Sequence, residues 1–207
     1  MKNKIMKEIL DWAMCIIIAY IIYVIVNYFF GTVSGVKQSS MFPTSKEGDK
    51  LIISRRVISK KPLERGNVVT LESPIFGPDM EKKGDIAAYP EYEGFSKFLY
   101  KVIGLGKKSY VKRIIALEGE HIFISEEGEV YINDELLEEA YLPKNLKTPR
   151  SGDYYEMTVP KGCVFVMGDN REKSADSRAF GAVPDYRIEG NVIARIWPLN
   201  KIGKLGG

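Results

Sequence analysis

The 207-residue chain has one histidine, His121, and only two cysteines, Cys15 and Cys163. A lone histidine removes most two-histidine metal sites. The cysteines lie in an apolar helix-like run and a distant strand-like run, so each reads as a free buried thiol and not as half of a disulfide. No Lys/Arg-rich block or basic-aromatic stripe occurs, and the net charge is only +3. Nucleic acid is therefore not an expected partner. No internal repeat or low-complexity tract is present. The 28% of charged residues exclude a wholly lipid-embedded protein, and the 45% of apolar residues suffice for a sizeable core.

One long apolar run is present: WAMCIIIAYIIYVIVNYFF, residues 12–30. As a helix it would span roughly 28 Å, close to the hydrocarbon thickness of a bilayer. Lys2, Lys4 and Lys7 precede it, and Trp12, Tyr28, Phe29 and Phe30 sit toward its ends. The positive-inside bias then keeps the amino terminus cytoplasmic. The expected organisation is a cytoplasmic segment 1–11, a single transmembrane signal-anchor helix 12–30 and an extracytoplasmic domain 31–207. The lipid bilayer of the cell membrane is the first partner this implies. A cleavable secretory signal would have a shorter apolar region followed by small residues; here bulky Tyr28-Phe29-Phe30 follow.

Beyond residue 31 long amphipathic helical patterns are missing. Short β-rich runs recur instead, at 50–53, 67–71, 110–115, 121–124, 129–133, 162–167 and 191–196. Turn signals such as Glu47-Gly48-Asp49, Arg65-Gly66-Asn67 and Glu118-Gly119-Glu120 separate them. This pattern predicts a mainly β, antiparallel-sheet domain. Residues 72–109 break the rhythm and read as an insertion, a hairpin or a short helix. It carries an aromatic patch at Phe95, Phe98-Leu99-Tyr100 and Val102-Ile103.

Three clusters could do chemistry. Gln38-Ser39-Ser40-Met41-Phe42-Pro43-Thr44 places Ser40 in a loop soon after the apolar run. A nucleophilic serine needs a base. His121 lies in a charged turn and reads as a solvated surface residue. Lysine can serve only if its pKa falls from about 10.4, which takes burial among apolar groups. Lys112 meets that demand, lying between Tyr110-Val111 and Ile114-Ile115, with Arg113 pointing to the opposite side of the strand. The third cluster, Gly168-Asp169-Asn170-Arg171 through Ser174, Asp176-Ser177-Arg178 and Gly181, reads as an ordered polar loop.

Together with Arg65-Gly66-Asn67-Val68-Val69, these clusters resemble the bacterial type I signal peptidase family, from the anchor nearly to the carboxyl end. The resemblance implies a membrane-bound serine endopeptidase that removes signal peptides from exported preproteins after Ala-x-Ala-like sites. Secretory preproteins would be its substrates, and no metal or organic cofactor would be needed. It implies Ser40 as nucleophile and Lys112 as general base, with Ser174 orienting the Lys112 amine. Asp176, Arg178 and Arg113 would form a supporting ion-pair network. Val36, Met41, Leu51, Tyr110 and Val111 would line pockets for small substrate residues. Two departures from the family pattern stand out. Gln38 replaces a usual Gly or Ser that contributes to the oxyanion hole in some members, and Ser45 replaces a usual Leu beside the pocket.

Two rival readings are weaker. Ser34-Gly35-Val36-Lys37 matches the Ser-x-x-Lys pattern of penicillin-recognising enzymes, but the partner motifs are absent. A non-enzymatic anchored binding module would be expected to lose Ser40 or Lys112, and both remain.

Overall fold

The computed structural model describes residues 2–29, 31–55, 62–75, 84–94 and 108–205. Helix α1 covers Lys2–Phe29, including most of the apolar run. Its described apolar side chains, Trp12, Ile16, Ile17, Ile18, Tyr20, Ile21, Ile22 and Tyr23 among them, are exposed around the whole helix. Among the described residues no helix is long and apolar enough to cross a membrane. The far end of the run, 24–30, lies outside the described side chains.

The rest is antiparallel sheet, as the short β-rich runs predicted. In chain order the strands are β1 (Thr32–Gly35), β2 (Lys50–Arg55), β3 (Val68–Glu72), β4 (Ser109–Ala116), β5 (His121–Ile124) and β6 (Val130–Ile132). β7 (Glu135–Leu136), β8 (Glu156–Thr158), β9 (Cys163–Met167), β10 (Val183–Pro184) and β11 (Ile188–Trp197) follow, with a one-turn helix α2 (Ser177–Phe180) after β9. A larger sheet has the order β1-β2-β11-β3-β4-β9-β10, and a smaller one the order β7-β6-β5-β8. All seven runs read from sequence fall on strands. β1 occupies a stretch that reads as a linker, because four residues with one large apolar side chain carry little signal.

β4 and β9 lie in the middle of the molecule with apolar cover on both faces. Alternation sends Ile114, Val164 and Val166 into one cluster with Val69, Leu71, Phe180 and Ile188. It sends Ile115, Phe165 and Met167 into another, against Ile122, Ile124 and Val130 of the smaller sheet. Complete burial of each such side chain contributes about 1.5–3 kcal/mol. The ends of these two strands are therefore a rigid platform, and the polar clusters are mounted on it.

Of the 72–109 insertion, the described parts make an antiparallel bridge between Ile75 and Ala88 and a parallel one between Ile86 and Ala182. The aromatic patch 95–103 lies outside the described residues. Cys163 is buried as expected; Cys15 is exposed on α1, and both are free thiols. His121 is partly exposed, with Nε2 3.5 Å from Glu156.

Candidate active site

The loop joining β1 to β2 carries Ser40. Its neck is closed by Val36 N–H donating to Asp49 C=O at 2.8 Å and Gly48 N–H to Val36 C=O at 2.9 Å. A tight turn follows, with Phe42 N–H bonded to Ser39 C=O and Ser45 N–H to Met41 C=O. Arg195 of β11 grips this loop from below, donating to Thr44 C=O and Asp49 Oδ2.

The polar loop after β9 meets it. Asn170 N–H donates to Ser40 C=O at 3.0 Å, and Asn170 Nδ2 donates to Ser39 C=O. Thr44 Oγ1 donates to Asp169 Oδ2 at 2.5 Å. Gly168 sits in the seam: a Cβ there would lie 2.3 Å from Ser174 Oγ and 2.4 Å from the Ser40 carbonyl oxygen. Only glycine lets the two loops approach this closely.

Lys112 enters from β4, where it opposes Val69 of β3. The side chain is 1% exposed. Its Nζ donates to Ser174 Oγ at 2.9 Å and stands 5.4 Å from the Tyr110 ring centroid. Burial lowers the ammonium pKa to about 8; Asp176 pulls the other way, and Arg178 adds to the lowering. Ser40, Lys112, Gln38 and Tyr110 line one open cleft of about 390 Å³, together with Lys37, Ser39, Glu47, Lys173 and Ala175.

Buried ion pairs hold the walls. Arg113 turns away from the cleft and donates to both oxygens of Asp169, at 2.9 and 2.7 Å, and to Gly66 C=O. Arg178 grips Asp176 through two hydrogen bonds of 2.8 Å. Asp176 in turn accepts from Gly168 N–H and caps α2 through Arg178 N–H. Burial pushes the Asp176 carboxyl up, but Arg178, Gly168 N–H and Ser174 outweigh it and hold the group below the usual carboxylate range. Two buried pairs, Arg113–Asp169 and Arg178–Asp176, thus flank the loop that carries Ser174.

The residues expected to line substrate pockets divide. Tyr110 faces the cleft. Val36, Met41 and Leu51 are buried with Val68 and Leu205, and Val111 packs against them. They form one apolar cluster at the base of the Ser40 loop. Ser45, which stands where a Leu beside the pocket is usual, is interior, and its buried Oγ has no hydrogen-bond partner among the described residues. Sequence reading missed Asp169 and Asn170 as loop ties, although both stand inside the polar motif. It also missed Glu139, Tyr141 and Thr148, which reach the site from an irregular segment with no local signal.

Residues 9–197 match the family model described as signal peptidase, peptidase S26. Signal peptidase IB of Staphylococcus aureus (strain COL) is 32% identical over 210 residues, covering 94% of this chain and 93% of that protein. The chloroplastic thylakoidal processing peptidase 1 of Arabidopsis thaliana is 31% identical over 167 residues, 81% of this chain and 42% of that one. A solved structure of a signal peptidase I from Enterococcus faecalis V583 matches with a TM-score of 0.42 and 26% identity, covering 64% of this chain and 97% of that chain. The chain belongs to the signal peptidase family and, within it, to the type I serine endopeptidases.

Proposed function

We propose that this protein removes signal peptides from exported preproteins after Ala-x-Ala-like sites, with Ser40 as nucleophile and Lys112 as general base. The observation that carries this reading is the placement of a buried lysine of lowered pKa on the same cleft as Ser40, held by Ser174. Neutral Lys112 takes the Ser40 proton as Oγ attacks the scissile carbonyl. The resulting ammonium returns that proton to the leaving amine, and water then hydrolyses the acyl-enzyme by the same route. Ser174 accepts from Lys112 Nζ and so aims the nitrogen lone pair. The Ser40 backbone N–H serves the oxyanion, and Gln38, which lines the cleft, adds its side-chain amide.

The bilayer is part of this reading. A helix that is apolar all round needs an apolar environment, and α1 exposes its described Ile, Trp and Tyr side chains on every side. We read it as the anchor, with the amino terminus cytoplasmic and the β domain on the far side of the membrane.

The test is a model preprotein with an Ala-x-Ala site, incubated with the detergent-solubilised enzyme across pH. Cleavage after the second alanine is expected. The rate at saturating substrate should rise about tenfold per pH unit below the Lys112 pKa and level off above about 8. Absence of any cleavage by folded protein would overturn the reading, and a rate flat from pH 6 to 9 would remove Lys112 as base.

Gly168→Ala gives a second check. Its Cβ must displace Ser174 or the Ser40 carbonyl. Stability should fall by about 1–3 kcal/mol in a denaturant titration. Cleavage should fall further than the unfolded fraction accounts for.

A further inference from the structure

The segment between β7 and β8 has a role that its place in the smaller sheet does not explain. It is tied to that sheet at both ends: Leu137 N–H donates to Val130 C=O, and Thr148 N–H donates to Gly128 C=O. Arg150 Nε bonds Ile124 C=O, and its guanidinium lies against Phe123 and Tyr155. Between these ties the segment touches each of the three fully buried arginines beside the cleft. Glu139 receives both terminal nitrogens of Arg171, and Thr148 Oγ1 lies 2.5 Å from Arg171 Nη1. The Tyr141 ring covers Arg113 at 3.8 Å, and its hydroxyl donates to Glu139 at 2.5 Å. Pro149 C=O accepts from Arg178 Nη1 at 3.0 Å.

Those arginines belong to different elements. Arg113 follows Lys112 on β4, whereas Arg171 of the loop after β9 and Arg178 of α2 frame Ser174 from either side. Arg171 Nε also bonds Gly168 C=O, and Arg171 C=O accepts from Arg178 Nη2. The segment therefore clamps the strand that carries Lys112 to the loop that carries Ser174, without touching the cleft. We propose that residues 137–150 act as a strap that holds the Lys112–Ser174 pair in register, with Glu139 as its positioning residue. The proposal rests on the Ser40/Lys112 reading of the reaction.

A charged carboxylate is needed because Arg171 is buried and always ionised; without it the loop can stay closed only around an uncompensated cation. Loosening the loop admits water beside Lys112. Asp169, Asp176 and Arg178 face the amine from that loop, Tyr110 from its own strand, and Lys37, Glu47 and Lys173 stand along the same cleft. Hydration would weaken the burial that keeps the amine neutral, so its pKa would rise.

The experiment compares full-length wild type with Glu139→Gln, Tyr141→Leu and Tyr141→Phe on the model preprotein, with Lys112→Ala alongside. For Glu139→Gln, kcat should fall roughly 10- to 100-fold with KM little changed, and the rising limb of its pH profile should move to higher pH. Tyr141→Leu should do the same more weakly, and Tyr141→Phe, which keeps the ring over Arg113, should stay near wild type. Variants that melt at lower temperature but keep kcat per folded molecule and an unmoved pH limb would overturn the strap. Should Glu139→Gln fail to fold, Tyr141→Leu decides by the same readouts. Activity retained by Lys112→Ala would instead sink the dyad reading, whatever Glu139 does.

Discussion

Lys112→Met should abolish cleavage and make the protein more stable at the same time. Ser40→Ala should lose as much activity as Lys112→Met, because nucleophile and base act as a unit; each should fall by at least about a thousandfold. Lys112→Arg should fail equally, since a guanidinium does not deprotonate in this range. The stability gain follows from the same burial that makes the base. Lys112 titrates near 8 in the folded protein against an ordinary 10.5. Below pH 8 the folded state carries an ammonium that burial disfavours, by roughly 3 kcal/mol. Between 8 and 10.5 the unfolded chain binds the extra proton, so wild-type stability rises with pH in that window. Methionine fills similar volume with no charge to bury, at the loss of one hydrogen bond to Ser174. Denaturant titrations should show Lys112→Met ahead by about 1–3 kcal/mol at pH 7, with the lead fading toward pH 10.5. A variant no more stable than wild type at pH 7 would show that the ammonium is better accommodated than its burial implies. Full activity in either single variant would remove that residue from the mechanism.

The strands that hold the site were legible because they are long and doubly covered. β9 runs Cys163-Val164-Phe165-Val166-Met167 without polar interruption, and in β4 only Lys112-Arg113 break the run of Tyr110, Val111, Ile114 and Ile115, so both mark themselves plainly. β8 has one buried apolar residue, Met157, between two exposed neighbours, and such a pattern does not separate from a turn. The burial of Lys112 could be read from its apolar neighbours alone. Its meeting with Ser174, 62 positions away, could not be; only the family resemblance brought the two together. Met41 shows a different limit. Met41 beside Ser40 is apolar whether it meets substrate or core, and it packs under the loop with Leu51 and Val68. Glu139 and Tyr141 gave no signal at all, because an isolated acid and an isolated aromatic in a turn-rich segment look like surface. What they touch is fixed by the placement of the smaller sheet against the larger, which no local pattern records.

Asp169→Ala should be the most destabilising single change in the polar network. Both Arg113 and Asp169 are fully buried, and the pair is joined by two hydrogen bonds. Deleting the acid leaves a guanidinium that cannot lose its charge, enclosed by the Tyr141 ring, Gly66 C=O and the strand. Breaking such a pair from one side costs about 3–5 kcal/mol, because the remaining charge stays desolvated. Thr44 also loses its acceptor, so the Ser40 loop is released along with the core. Replacing both partners, as in Arg113→Met with Asp169→Leu, should restore much of the stability, since an apolar pair of similar volume has no buried charge. It should not restore cleavage: Thr44 still has no carboxylate to anchor it, and Tyr141 no cation to cover. Urea titrations of the two single variants and the double variant measure the coupling directly. A double variant that is both stable and fully active would mean that the pair serves folding alone, and that Thr44 and the Ser40 loop keep their geometry without it.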